Sequence, residues 1–242
     1  MSETIFLAGA TGAIGQRLVP LLLRAGYTVF GTTRSEEKAR SLESAGVHPV
    51  VVDVFDSEKL ARAVSLAKPD TVIHQLTDLP RVIDSTKAAD FAARNARIRR
   101  EGTASLMQAA VAAGVKRVIA QSIAWTYAPG NEPCDETMPL DLLAPEPRLT
   151  SVSGVVALES VVLGHPGSVT GIVLRYGRLY GPGTGADMPG TSPTVHVDAA
   201  ACAAVLAINT GEHGIYNIAD AGLAVTSAKA IQTLGWSADF RL

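Results

Sequence analysis

Ile5-Phe6-Leu7-Ala8-Gly9-Ala10-Thr11-Gly12-Ala13-Ile14-Gly15 is the stretch that decides the fold. Four consecutive apolar residues form a strand with no solvent face. Three glycines follow in a G-x-x-G-x-x-G arrangement, and Ile14 through Arg24 repeats its apolar residues at helical spacing. A strand that turns on glycines directly into a helix brings free backbone N–H groups and the positive helix end to one point, which suits a phosphate. Gly9 permits the tight turn, Gly12 lets the backbone approach a pyrophosphate, and Gly15 lets helix and strand pack closely. Thr11, Ala13 and Ile14 belong to the same candidate dinucleotide-binding segment.

Outward from this unit the alternation continues. Strands are expected at Thr28–Gly31, Val50–Val52, Thr71–His74 and Val118–Ala120. Helices are expected at Glu36–Ala45, Asp56–Ala67 (capped by Asp56 or Ser57) and Ala88–Ala113, with Gly114 as a stop. Apolar strands each followed by a helix predict an α/β fold, a doubly wound parallel sheet covered on both faces. Beyond this, a proline-rich loop spans 128–150 and a helix Val152–Leu163. Ile172–Leu174 is a sixth strand, Asp198–Ile208 an Ala-rich helix and Ile215–Ile218 a late strand.

Composition removes several function classes. The 242 residues are 47% hydrophobic and 18% charged with a net charge of −2, enough for a large core and too little positive charge for a nucleic-acid face. Two cysteines make no disulfide framework, and the amino terminus lacks the pattern of a signal peptide, so a cytoplasmic protein is expected. No apolar run reaches membrane-spanning length, and no basic amphipathic patch suggests a membrane partner. Five scattered histidines give no metal-ligand spacing, and neither a G-x-S-x-G elbow nor a G-K-S/T phosphate loop is present.

Thr32-Thr33-Arg34-Ser35 stands where an acidic residue would hold a ribose 2′-hydroxyl. Arg34 can pair with a 2′-phosphate, which favours NADP(H) with NAD(H) possible; the alternative is a solvated strand-end arginine. Asp53 is a candidate for the adenine amino group or for a helix cap.

The chain resembles the extended short-chain dehydrogenase/reductase superfamily, its NAD-dependent epimerase/dehydratase group, over nearly its whole length. The marks are the glycine turn, Asp70–His74, Glu101-Gly-Thr103, Gly114–Val118, Leu174–Gly177, Leu179–Gly183, Val195–Asp198, Ile215–Ile218 and Leu234-Gly-Trp236. The resemblance implies a Rossmann domain over 1–165, with strand 172–175 returning to the sheet, and a mainly substrate-binding region over 176–242. It also implies that His74, Gln75 and Leu76 border the cofactor and that Tyr180-Gly181-Pro182 faces the nicotinamide, while His196 is mainly structural. A homodimer through the long helices is implied too, although Arg94, Arg97, Arg99 and Arg100 crowd that face with charge.

The family's proton relay is absent. A tyrosine and a lysine four apart share one helix face, so that the ammonium lowers the phenol's pKa. Only six lysines occur here, and none follows any of the five tyrosines by four residues. Anchored on Glu159, Ser151 falls at the tyrosine position and Val155 at the lysine position, while Ile123 takes the place of the usual strand-five hydroxyl. Tyr127 and Ser122 are the substitute donors expected at the cleft, each with a structural alternative as loop anchor or strand-end hydrogen bonder. The loops near 184–193 and 220–228 are short for the family. An atypical NADP(H)-dependent oxidoreductase or epimerase-like enzyme acting on a small or nucleotide-linked substrate is expected; the other reading is an NAD(P)-binding sensor or regulator without turnover.

Overall fold

In the computed structural model, which describes residues 2–79 and 85–242, β1 (Thr4–Ala8) is an interior strand, third from one edge, of a seven-stranded parallel sheet. Its pleat explains why the run is apolar throughout. Ile5 and Leu7 enter the core on one face of the sheet, Phe6 and Ala8 the core on the other. On one side β1 pairs with β2 (Thr28–Thr33), and β2 with β3 (His48–Val51). On the other side follow β4 (Thr71–His74), β5 (Arg117–Ile123) and β6 (Thr170–Tyr176). Chain direction therefore switches from one half of the sheet to the other between β1 and β4, and the crevice above their carboxyl ends is where an open α/β sheet binds its ligand.

Helices α1 (Ala13–Arg24) and α2 (Glu36–Ser44) cover one face, and α3 (Ser57–Ala67) the other, with Asp56 accepting the Lys59 N–H as its cap. The single helix expected over 88–113 is divided. A regular α4 (Ala88–Arg97) passes through one wide turn at Ile98–Gly102 into α5 (Thr103–Ala112). Gly102 lies at that turn against Val54, where a β-carbon would come within 3.1 Å of Val54 Cγ1. The helix α6 (Arg148–Leu163) starts four residues earlier than expected, directly after Pro147, so Ser151 belongs to its first turn. Likewise β5 runs three residues past Ala120 and takes in Ser122 and Ile123.

Residues 176–242 make up the carboxy-terminal part of the chain. Apart from a short ribbon of β7 (Arg178–Tyr180) and β8 (Thr194–His196), it returns to the main layers. Helix α7 (Val197–Asn209) buries an alanine face with α1 in one core, and β9 (Gly214–Ile218) extends the sheet beside β6. The small side chains of Ala199, Ala200, Ala203 and Ala207, all fully buried, let α7 approach closely. The last helix, α8 (Ala228–Leu234), packs under β9, and Trp236 donates its indole N–H to the Ala199 carbonyl at 2.8 Å. Among the described residues no helix is long and apolar enough to cross a membrane.

Candidate active site

A cleft of about 1600 Å³ runs along the carboxyl ends of the strands, from the tip of β2 to the start of α6. Its nucleotide end is made largely of backbone. Gly9 adopts a φ of +91°, and a β-carbon there would sit 2.7 Å from the Gln75 carbonyl oxygen, so only glycine fits. At Gly15 a β-carbon would overlap the carbonyl oxygens of Gly9 and Ala10. The Gly12 N–H closes the turn onto Gly9 O at 3.1 Å, and Gly9 N–H donates to Thr32 Oγ1, tying the turn to β2. As the residue preceding α1, Gly12 offers no side-chain cap, and the first turn holds no acidic residue. The N–H groups of Ala13, Ile14 and Gly15 therefore stay available to an anion.

The other expected cofactor residues divide in two. Gly9, Thr11, Gly12, Ala13, Arg34, Asp53, Gln75 and Leu76 all line the cleft. Arg34 is exposed at its edge and makes no hydrogen bond or ion pair with a described residue. Asp53 accepts the Phe55 N–H at 3.0 Å and caps no helix, since Asp56 does that for α3. Buried Gln75 reaches Tyr176 at 3.5 Å through its amide nitrogen, while its carbonyl oxygen has no partner among the described residues. An orphaned acceptor on the wall of a cleft is what a bound donor would satisfy. These features fit a dinucleotide lying across the sheet edge.

Ile14, Gly15 and Tyr180 do not line the cleft. Ile14 is packed into the core beneath α1, and Gly15 acts through close packing. Tyr180 points across the β7–β8 ribbon and meets the His196 ring edge-on at 5.2 Å; Leu179, one residue earlier, lines the cleft instead. His196 accepts the Asp198 N–H and so caps α7, and Gly181 leaves room for its ring. Inward from the cleft, His74 is fully buried between the Leu76 N–H, which donates to Nδ1 at 3.2 Å, and Thr103 Oγ1, 3.0 Å from Nε2. Burial pushes its pKa down to about 4, with a smaller contribution from the Arg99 charge, so the ring is neutral.

The two expected donors, Ser122 and Tyr127, are displaced from the cleft, and the cause is strand alternation. Gln121 and Ile123 of β5 face the cleft, so Ser122 between them points the other way, towards α6. Its hydroxyl donates to Glu159 Oε1 at 2.9 Å. Arg175 of β6 grips the same carboxylate through two bonds, 2.8 and 2.6 Å, and gives a third, 2.8 Å, to the Tyr127 hydroxyl. That hydroxyl donates to Asn217 Oδ1 at 2.7 Å. All five side chains are buried. Glu159 holds the Arg175 pKa well above its ordinary value despite burial, and desolvation raises that of Tyr127. The network joins β5, α6, β6 and β9; it stiffens the floor beneath the cleft and presents nothing to it.

Other residues occupy the reacting end of the cleft. Ser151, on the first turn of α6, is on its wall with Trp125, Arg148 and Asn95. Val155 is fully buried and not on the wall. Arg148 donates to Asp141 and to the carbonyls of Trp125 and Tyr127, which sets the loop before α6. Arg99 also lines the cleft. The sequence alone groups it with Arg94, Arg97 and Arg100 as one charged helix face. Its spacing of four from Asn95, itself on the buried stripe with Phe91, is the signal that it turns inward. Among the described residues no cluster of side chains could hold a metal ion.

Comparison with known proteins gives the same architecture. The family described as NAD dependent epimerase/dehydratase matches residues 5–193. A 3-diazoavenalumate denitrifying reductase from a Streptomyces species is 39% identical over 237 residues, covering 89% of this chain and 75% of that protein. Among solved structures, Pal from Bacillus thuringiensis superposes with a TM-score of 0.81 at 16% identity, covering 99% of this chain and 95% of its own. The Thermus thermophilus UDP-glucose 4-epimerase in complex with NAD superposes with a TM-score of 0.72 at 22% identity, covering 97% and 84%. At those identities the two structures speak to the fold.

Proposed function

Because the chain belongs to the NAD-dependent epimerase/dehydratase family, we propose that it is an NAD(P)H-dependent reductase that hands hydride to an electron-poor group of a small substrate. The observation that carries this reading is the cleft itself. It joins a glycine turn with free backbone N–H groups, an unpaired, exposed Arg34 and the orphaned Gln75 Oε1 to a second end lined by Ser151, Trp125 and Arg99. Bound there, the nicotinamide supplies a hydride. Arg34 selects NADP(H) by pairing with the 2′-phosphate, while Thr11, Gly12 and Ala13 hold the pyrophosphate. Asp53 takes the adenine amino group.

The identity of the Streptomyces reductase bears on the missing relay. Reducing a carbonyl leaves an alkoxide that an acid must protonate, the task of a phenol beside an ammonium. Reducing a diazo group, as its diazonium form, makes no such demand. Hydride adds to the terminal nitrogen to give a diazene; its N–H proton is lost as the C–N bond breaks and dinitrogen departs, and the carbon left with the electron pair takes up a proton, so no alkoxide forms. A wall that carries Ser151, with Val155 buried behind it and no tyrosine–lysine pair on α6, suits an acceptor of that kind. Ser151, with a hydroxyl free of partners among the described residues, orients the substrate.

The test is a panel of aryl diazo acids, carbonyl compounds and sugar nucleotides with NADPH consumption as readout, and dinitrogen release followed for the diazo members. Consumption matched by dinitrogen supports the proposal. Consumption with sugar nucleotides alone refutes the substrate class. Tight NADPH binding with silence across the panel favours the sensor reading, which the withdrawal of Ser122 and Tyr127 into a buried network also supports.

A further inference from the structure

Three guanidinium groups stand at the reacting end of the cleft, and they differ in what neutralises them. Arg148 is committed to Asp141 and two carbonyls. Arg178 is exposed and stacks over Trp125 at 4.9 Å, with partial burial lowering its pKa. Arg99 has neither arrangement. It is half-buried, what surface it keeps opens onto the cleft, and it makes no hydrogen bond or ion pair with any described residue. The nearest acid whose charge it feels, Glu159, is already occupied by Arg175 and Ser122. Burial alone drives the Arg99 pKa down to about 10.

The position of Arg99 is fixed from two sides. Its Cδ lies 3.5 Å from where a β-carbon on Gly154 would be, next to the Val155 that replaces the expected lysine. Its charge also reaches His74 at the end of β4. A cation is thus present beside α6, on the neighbouring helical segment, and it lines the cleft.

We propose that Arg99 is a substrate-binding residue that receives a carboxylate, making this chain selective for anionic, carboxylate-bearing substrates. A desolvated guanidinium is costly without a counter-charge, and a carboxylate matches its planar fork with two parallel bonds. The hydroxyls of a nicotinamide ribose carry no charge to offset it, and the pyrophosphate belongs to the glycine turn at the other end of the cleft. The inference rests on the reductase reading only in taking the second end of the cleft as the substrate's.

The experiment is calorimetric titration of the NADP⁺-loaded protein with aromatic carboxylates, led by 4-hydroxycinnamate, each against its neutral amide. The acids are expected to bind about tenfold more tightly than the amides, in line with a charge-assisted pair. Arg99→Gln should erase that preference while NADP⁺ affinity stays within about twofold, which also shows that the variant is folded; Arg99→Lys should restore part of it. The proposal is overturned if no acid binds more tightly than its amide, if the preference survives Arg99→Gln, or if that change weakens NADP⁺ instead. Turnover plays no part in the readout. A silent substrate panel with an Arg99-dependent acid preference removes the reductase reading and leaves this one standing.

Discussion

The two ends of one cleft are built from different materials. At the nucleotide end the recognising groups are backbone N–H donors, and the side chains are chiefly absences: no β-carbon at Gly9, none at Gly15. At the reacting end the groups are side chains, and which of them face the cleft depends on strand pleat and helix register. The first end leaves no room for a β-carbon at Gly9 or Gly15. The second carries Ser151 on the first turn of α6, with Val155 buried one turn later, along the same sheet edge. Chemistry has room to change where it rests on side chains; the cofactor grip has little.

The largest expected effect follows from the backbone end. Gly15→Ala forces a methyl group into the Gly9 and Ala10 carbonyls, so the turn must open or α1 must move away from β1. Overpacking of this kind costs about 3 kcal/mol of stability, and where the fold survives the displaced turn should weaken NADPH by about a hundredfold. Ser151→Ala, on the opposite wall, should leave NADPH affinity unchanged. If both variants bind NADPH as the native chain does, the asymmetry between the ends is wrong.

His74 sits between the two ends, and its effect reads out in pH. It is buried neutral with a pKa near 4 against 6.5 in the unfolded chain, so below pH 6.5 the unfolded state binds the extra proton. Its contribution to stability is complete above pH 6.5 and declines as pH falls towards 4, by roughly 3 kcal/mol in total. Protonation would set a second N–H against the Leu76 N–H. Urea denaturation across that pH range should show the decline, and His74→Asn should flatten it.

These contrasts explain what is legible in the sequence. The turn at 9–15 and the parallel sheet can be read because glycine placement and continuous apolar strands each admit few alternatives. Ser122 and Tyr127 are misplaced by sequence reasoning because a one-residue difference on a strand reverses the face: Ile123 reaches the cleft and Ser122 turns to Glu159. Tyr180 fails for the same reason, with Leu179 on the wall. Arg99 is hidden in a run of arginines of which Arg97 pairs with Glu101 and Arg94 approaches Asp78. Charge in a sequence marks a surface until the helix register assigns one member to the interior.

A smaller effect separates floor from cleft. Ser122→Ala and Tyr127→Phe each remove a hydroxyl from a buried, fully bonded network, leaving Glu159 or Asn217 short of a donor. Each should lower unfolding stability by about 1–2 kcal/mol. Neither hydroxyl reaches the cleft, so kcat on any substrate found by the panel should hold within about twofold. A fall in kcat of about a hundredfold with stability intact would return these residues to catalysis.

The smallest effect is also the most specific. Arg34 is exposed at the cleft edge, so its pair with a 2′-phosphate is formed partly in water and screened by salt. Arg34→Ala should therefore weaken NADPH by only about tenfold and leave NADH untouched, collapsing the preference between them. Raising the salt concentration should shrink the native preference in the same direction, because screening acts on the one charged group by which the cofactors differ. Equal affinities of the native chain for NADPH and NADH would remove Arg34 from recognition and leave the nucleotide end to its backbone N–H groups, Asp53 and Gln75.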